Sequence, residues 1–139
     1  MKTNLLFGLF MAISIGFAVG CNNTLDGPSA KPAGWQSKIA GEYPGIISES
    51  GSGSDGTTWF KVAGDKVSGT YRVDVGGTEY TGVLKDFTVV GDRKFKCTWV
   101  DNEDREGVIT GTFSEDLSSF SGTWEADDGD GTWQGKKAK

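Results

Sequence analysis

Histidine is absent from this 139-residue chain, and the absence restricts its chemistry more than any other feature. Ser-His-Asp and Cys-His nucleophile systems need an imidazole, and most protein zinc sites use imidazole ligands. A carboxylate pair for glycoside hydrolysis needs an acid with a raised pKa in a pocket. Nearly all acids here fall on predicted turns, Glu42, Asp74 and Glu125 fall on outward strand positions, and only Asp86 lies near an inward one. The sequence therefore predicts a protein without enzymatic activity and without a cofactor.

Positive charge is scarce, since 14 Lys and Arg face 19 Asp and Glu, giving a formal net charge of −5. An acidic chain is a poor candidate for binding the phosphate backbone, so no nucleic-acid partner is expected. The acidic stretches 101–104 and 127–131 offer oxygen ligands of the kind that calcium uses. The second lacks the Glu that closes a twelve-residue calcium loop, because Ala138 stands there. Both stretches are better interpreted as solvated turns, and no metal site is predicted.

Long apolar runs are also few: residues 5–19 form the longest, with 15 residues, whereas a spanning helix needs roughly 20. Lys2 before this run and small residues after it form the layout of a secretion signal. The stretch 18–21, Ala-Val-Gly-Cys, resembles the lipobox of bacterial lipoproteins, which implies cleavage before Cys21, acylation of its thiol and attachment of diacylglycerol. The alternative is an ordinary cleaved signal in which Cys21 is incidental. With Asn22 next, the resemblance implies a lipid-anchored protein of the bacterial cell envelope, in the outer membrane where there are two membranes.

These signals divide the chain into three predicted parts. Residues 1–20 are predicted to be the signal peptide, and residues 21–38 the lipidated cysteine with a flexible tether rich in Pro and Gly, where Trp35 is a candidate to dock on the domain. Residues 39–139 form one domain. Loss of Lys2 with the signal changes the net charge from −5 to −6. With Cys21 carrying lipid, Cys97 has no disulfide partner and is expected to be a small buried thiol.

The domain repeats one short pattern, FSGTW at 120–124, in which large, small and large apolar residues stand two places apart. Its variants lie at 39–43, 67–71, 80–84, 95–99 and 109–113, and the segments 55–59 and 129–133 keep its second half. Strict alternation predicts strands with one buried face, and the short Gly- and Asx-rich links between them predict hairpin turns. The expected fold is therefore all-β: an antiparallel up-and-down meander of about eight short strands that closes into a small barrel.

Glycine at alternate inward positions explains the repeat, because it leaves room for aromatic rings from adjacent strands. Cys97 occupies the same small-residue position in its own segment. A change of phase at Lys85–Asp86 predicts a β-bulge. At Trp59–Phe60 both phases carry a large ring, and the pattern does not say which ring is inside.

Such a meander, with GTY- and GTW-type strands across residues 39–137, resembles the avidin-like and lipocalin-like (calycin) barrels. Gly41-Glu-Tyr43 is similar to the G-x-W that closes the floor of lipocalin barrels. Pro44-Gly-Ile-Ile47 stands where avidins carry polar residues that bind biotin. The resemblance therefore implies the general role, a barrel whose open end holds a small apolar or amphipathic molecule, rather than biotin binding.

Two functions remain open from the sequence. The first is a membrane-anchored binding module whose barrel holds a small hydrophobic ligand, since such pockets are mostly aromatic with a few polar groups. The candidate ligand-binding residues are Trp59, Tyr71, Tyr80, Trp99, Phe113, Trp124 and Trp133. The second is a surface or structural lipoprotein in which these rings only fill the barrel. It would act through protein contacts, as an adhesin, an inhibitor or an envelope-assembly partner.

Overall fold

Eight antiparallel strands follow one another in chain order and close into a barrel in the computed structural model, which describes residues 34–139. The strands are β1 (Gly41–Glu49), β2 (Ser52–Ala63), β3 (Lys66–Val75), β4 (Thr78–Gly91), β5 (Lys94–Asp101), β6 (Glu106–Phe113), β7 (Ser119–Ala126) and β8 (Gly129–Lys136). Each strand pairs with its sequence neighbours, and β1 also pairs with β8. The predicted meander barrel is confirmed.

Glycines lie beneath aromatic rings from the neighbouring strand, which answers why the repeat recurs. A Cβ built on Gly82 in β4 would lie 2.6 Å from the ring of Tyr71 in β3. A Cβ on Gly107 in β6 would lie 2.8 Å from the indole of Trp99 in β5. No side chain fits at such distances, so the rings lie flat across the neighbouring strand only because glycine is there.

One end of the barrel is filled by aromatic rings, and we name this set the plug. Its members are Tyr43, Phe60, Phe95, Phe113 and Phe120. Nine pairs among them have ring centroids 5.3–6.1 Å apart, mostly edge to face. Each such pair adds about 0.5–1.5 kcal/mol beyond the burial of area, so these contacts stabilise this end of the core.

A 3-10 helix, Gly34–Lys38, covers the plug. The Trp35 ring lies 5.7 Å from that of Phe113, which confirms the expected docking of this side chain. Gln36 Nε2 donates a hydrogen bond of 3.1 Å to the carbonyl of Asp65. The Tyr43 hydroxyl donates one of 3.0 Å to the carbonyl of Ile39. The range predicted as tether, 21–38, thus includes five residues that the structure places against the barrel, whereas the predicted signal peptide lies outside the described residues.

Both ends of the described part lie beside the plug. After β8 the chain continues past β1, where the Ala138 amide donates to the carbonyl of Glu42. The Lys137 ammonium lies 3.3 Å from the carbonyl of Lys38. The opposite end of the barrel, which we call the mouth, is therefore built from four hairpin connections. Within residues 34–139, no helix has the length and apolar character that a membrane crossing needs.

The two irregular places in the repeat also find explanations. β4 shifts register between Lys85 and Thr88, and Asp86 has a φ of 55°, so the predicted bulge is confirmed. The extra residue turns Phe87 inward, where its ring stacks on Phe95 at 5.1 Å. In β2, Phe60 is buried inside the barrel and Trp59 lies on the outer face, half-buried.

Candidate functional site

A cavity of about 350 Å³ opens at the mouth, opposite the plug. Its lining comes from the mouth-side ends of β1, β2, β3, β5 and β7, with contributions from β4, β8 and the β5–β6 turn. In closed eight-stranded barrels the interior is just wide enough for side chains or one small ligand. This barrel does both, because the plug fills one half and the cavity occupies the other.

Four aromatic side chains form the deep walls of the cavity. The rings of Tyr71 and Trp133 meet edge to face with centroids 4.7 Å apart. Those of Trp99 and Trp124 are perpendicular, with centroids 5.6 Å apart. Edge-to-face contacts fix both members of a pair, so the walls are preorganised rather than collapsed. A cavity with such walls can take a small molecule with a large apolar surface.

The three indole N–H groups of these walls have different partners. Trp133 Nε1–H donates to the hydroxyl of Thr58 at 2.9 Å. Trp124 Nε1–H donates to the carbonyl of Ser48, also at 2.9 Å. Trp99 Nε1 is buried and has no hydrogen-bond partner among residues 34–139. A buried donor without an acceptor is costly, so this indole lowers the stability that the packed ring provides.

A buried carboxylate and a guanidinium form one side of the rim. Asp101 is only 8 % exposed, and its Oδ1 accepts hydrogen bonds of 2.9 Å from the amides of Glu103 and Arg105. The Arg105 guanidinium lies 3.9 Å from Asp101 Oδ2 and 3.1 Å from Asp128 Oδ2. Its central carbon is 5.8 Å from the centroid of the Trp99 ring, a cation–π contact. The β5–β6 turn thus holds a fixed positive group above an aromatic wall.

The pKa values of Arg105 and Tyr71 are shifted by burial and by the negative charge of the rim. Burial acts to lower the pKa of Arg105, but its hydrogen bond to Asp128 and the charges of Asp128, Asp101 and Glu49 raise it above its ordinary value. The pKa of Tyr71 is also raised, first by burial and then by the charge of Asp101, with Arg105 acting in the opposite direction. Carboxylate charge therefore reaches into the cavity, and Arg105 offsets it only in part.

Acidic residues dominate the mouth as a whole. The turns and strand ends that surround it are residues 49–52, 72–79, 101–106 and 125–130. They contain eleven carboxylates, no lysine and two guanidinium groups, those of Arg72 and Arg105. The net negative charge of the chain is thus concentrated around the opening of the cavity.

The structure brings together five of the seven residues predicted to bind ligand. Those that line the cavity are Tyr71, Tyr80, Trp99, Trp124 and Trp133. Trp59 does not, because it stands on the outer face of β2 between the inward residues Thr58 and Phe60. Phe113 does not either, because β6 ends at the plug and carries this ring into it.

Three residues of the site were not predicted from the sequence. Asp101 was placed on a turn, although it continues the inward phase of Cys97 and Trp99 and so could have been found. Thr58 shares the inward phase of Phe60, and its role follows once that ring is known to be inside. Arg105 lies between β5 and β6, where no periodic signal exists to place its side chain.

The thiol expected to be buried is buried. Cys97 is 2 % exposed inside the barrel, and burial raises its pKa to about 12. A thiol with such a pKa remains protonated at neutral pH and is a weak nucleophile. Cys21, the predicted site of lipidation, lies outside the described residues.

The acidic stretches serve as turns. Asp128 contacts Arg105, and Asp101 accepts hydrogen bonds from its own turn. Within residues 34–139, no three Cys, Asp or Glu side chains converge in a way that could hold a metal ion. No known protein family matches the chain, and no curated protein matches it significantly. The all-β meander barrel, which is consistent with a calycin-like fold, is therefore the level at which this chain is classified.

Proposed function

We propose that this protein is a non-enzymatic binding protein of the bacterial cell envelope that holds one small, largely apolar molecule at the mouth of its barrel. The observation that carries the proposal is the contrast between the two ends. Interlocking rings fill the plug, whereas a cavity of about 350 Å³ with four aromatic walls stays open at the mouth. This volume lies within the range of small-molecule sites.

The anchoring of the protein belongs to the same proposal. Residues 18–21 carry the lipobox pattern, and a diacylglycerol on Cys21 would hold the chain to a membrane, the outer one where there are two. The described barrel begins at the plug, with Gly34. The point at which the chain enters the described domain therefore lies away from the opening of the cavity.

A function through protein contacts has less support. It requires a filled barrel and a contiguous apolar surface. Among residues 34–139, the large hydrophobic side chains that are clearly exposed are Ile46, Val75, Val83 and Val90. They lie on three strands, and Val75 belongs to the cavity rim. Val83 and Val90 are seven residues apart on β4, roughly 23 Å along the strand.

Native mass spectrometry of the full chain, extracted in mild detergent from its own host, tests the ligand. We expect an extra mass on the order of a few hundred daltons that is lost on denaturation, as fits a cavity of this size. Ser54→Phe places a ring in the cavity and should abolish the extra mass. Ser68→Phe, on the outer face of β3, is the matched control and should keep it. Equal native and denatured masses of the unaltered protein would contradict the binding function.

The denatured mass tests the anchor independently. Lipidation predicts a chain that begins at Cys21 and carries the mass of a diacylglycerol. A Cys21→Ala variant should lose this mass. A denatured mass equal to that of the unmodified chain would show that the cysteine carries no lipid, without bearing on the cavity.

A further inference from the structure

We propose that the ligand of this cavity is a cation: an ammonium or guanidinium group carried on a small apolar body. This inference rests on the proposed binding function and adds the charge of the ligand to it. It follows from the charge of the rim and the chemistry of the walls.

The rim attracts positive charge. Eleven carboxylates and two guanidinium groups surround the opening, and a cleft with low-dielectric walls focuses the field of such a ring. Glu49 is exposed, lines the cavity and forms no ion pair within residues 34–139. It stands close enough to act on the Arg105 guanidinium. This field would repel an anion, and it would not strengthen the binding of a neutral molecule.

Arg105 does not reverse the sign of the rim. Its guanidinium lies between the carboxylates of Asp101 and Asp128, at 3.9 and 3.1 Å. One positive group thus faces two carboxylates, and Glu49 adds a third nearby. The rim around Arg105 keeps a negative balance that a bound cation would reduce.

The walls suit the same kind of ligand. Faces of Trp and Tyr attract cations within about 6 Å of the ring centroid, and aromatic cages for ammonium groups work in this way. The molecule already uses this contact, since the Arg105 guanidinium sits 5.8 Å from the centroid of Trp99. Tyr71, Trp124 and Trp133 supply further aromatic surface in the same cavity. Contact with these aromatic faces can therefore replace part of the hydration that the cationic group loses when it enters the cavity.

Three probes of similar shape separate charge from size: (3-hydroxyphenyl)trimethylammonium, its uncharged carbon isostere 3-tert-butylphenol, and the anion 3-hydroxybenzenesulfonate. Binding to the full chain is followed by titration calorimetry and by tryptophan fluorescence, because three indoles line the cavity. We expect the cation to bind about tenfold more tightly than the neutral isostere, and the anion to bind most weakly. Added NaCl should weaken binding of the cation alone.

Two matched variants assign the charge effect to the mouth. Glu49→Gln should lower the affinity for the cation about threefold or more and leave that for 3-tert-butylphenol unchanged. Glu42→Gln, exposed near the plug, should change neither. Equal affinities for cation and isostere, or tightest binding of the sulfonate, would overturn the cationic ligand while leaving the cavity as a binding site. Absence of binding by all three probes, or binding that Ser54→Phe does not reduce, would count against the cavity function itself.

Discussion

Trp133 donates its indole N–H to the hydroxyl of Thr58, at 2.9 Å, across the closed interior of the barrel. The two residues belong to β8 and β2, the strands on either side of β1, and both are buried. The bond holds the Trp133 ring against Tyr71, at 4.7 Å, and thereby fixes one wall of the cavity. It also explains why an inward position of β2 carries threonine instead of an apolar residue of the same shape.

Thr58→Val should lower the free energy of unfolding by about 1–3 kcal/mol, because it leaves the buried indole N–H without an acceptor. Urea unfolding measures the change, and Thr58→Ser, which keeps the hydroxyl, should retain most of the stability. In a Trp133→Phe background the same valine substitution should cost much less. An equal loss in both backgrounds would show that the hydrogen bond is not the cause.

Gly107→Ala should lower the free energy of unfolding by about 1–3 kcal/mol or more, since its methyl group would overlap the backbone carbonyl of Glu125 and meet the Trp99 ring at 2.8 Å. Gly34→Ala is the control, because no atom of residues 34–139 lies within 4 Å of a Cβ built there. Thermal unfolding compares the two, and tryptophan fluorescence should report displacement of Trp99 in the first variant alone. Equal stability of the two variants would contradict the role given to glycine in the repeat.

The stability of the barrel should decline above about pH 9 because of buried neutral groups. Burial raises the pKa of Cys97 from 9.0 to about 12, and that of Tyr43 from 10.0 to about 12. Between these values the unfolded chain loses protons that the folded protein keeps, so the free energy of unfolding falls as pH rises toward 12. Urea unfolding between pH 8 and 11 measures this decline, and Cys97→Ala should make it shallower. An unchanged slope in that variant would exclude the thiol as a contributor.

Asp116, in the turn between β6 and β7, should titrate far below an ordinary carboxyl group. Hydrogen bonds of 2.7 Å from the hydroxyls of Ser118 and Ser114, and one of 3.1 Å from the Ser118 amide, lower its pKa to about 2. Stability from this turn is present above the usual pKa of 3.8 and is lost as pH falls toward 2. Carboxyl NMR titration should show the low pKa, and Ser118→Ala should raise it. Ser68→Ala, on the outer face of β3, should leave it unchanged.

Local rules were enough to predict the strands, their order and the bulge at Asp86. Alternation of side chains has a period of two, and short turns force neighbours to pair, so both signals survive without tertiary information. The burial of Cys97 followed from the same phase. These predictions needed only the pattern within one segment and the length of the next link.

What remained unpredicted depends on position along the barrel axis. In a meander, odd strands run from plug to mouth and even strands run back, so Phe113 at the end of β6 lies in the plug. Trp99, near the end of β5, lies at the mouth for the same reason. The side of Trp59 could not be predicted because Trp59 is adjacent to Phe60, so each phase of the strand carries a large ring. Arg105 depends on its partner Asp128, 23 residues away, and such a pairing leaves no periodic trace in the sequence.

Both ends of the described chain lie beside the plug, and hairpin turns alone border the mouth. A fusion, a dye or a sensor surface joined to the described domain beside the plug therefore leaves the opening of the cavity clear. The four hairpins can be exchanged one at a time without cutting into the chain ends or the plug. A barrel laid out in this way keeps its packed end and its open end apart, so the rim can be redesigned while the plug is left unchanged.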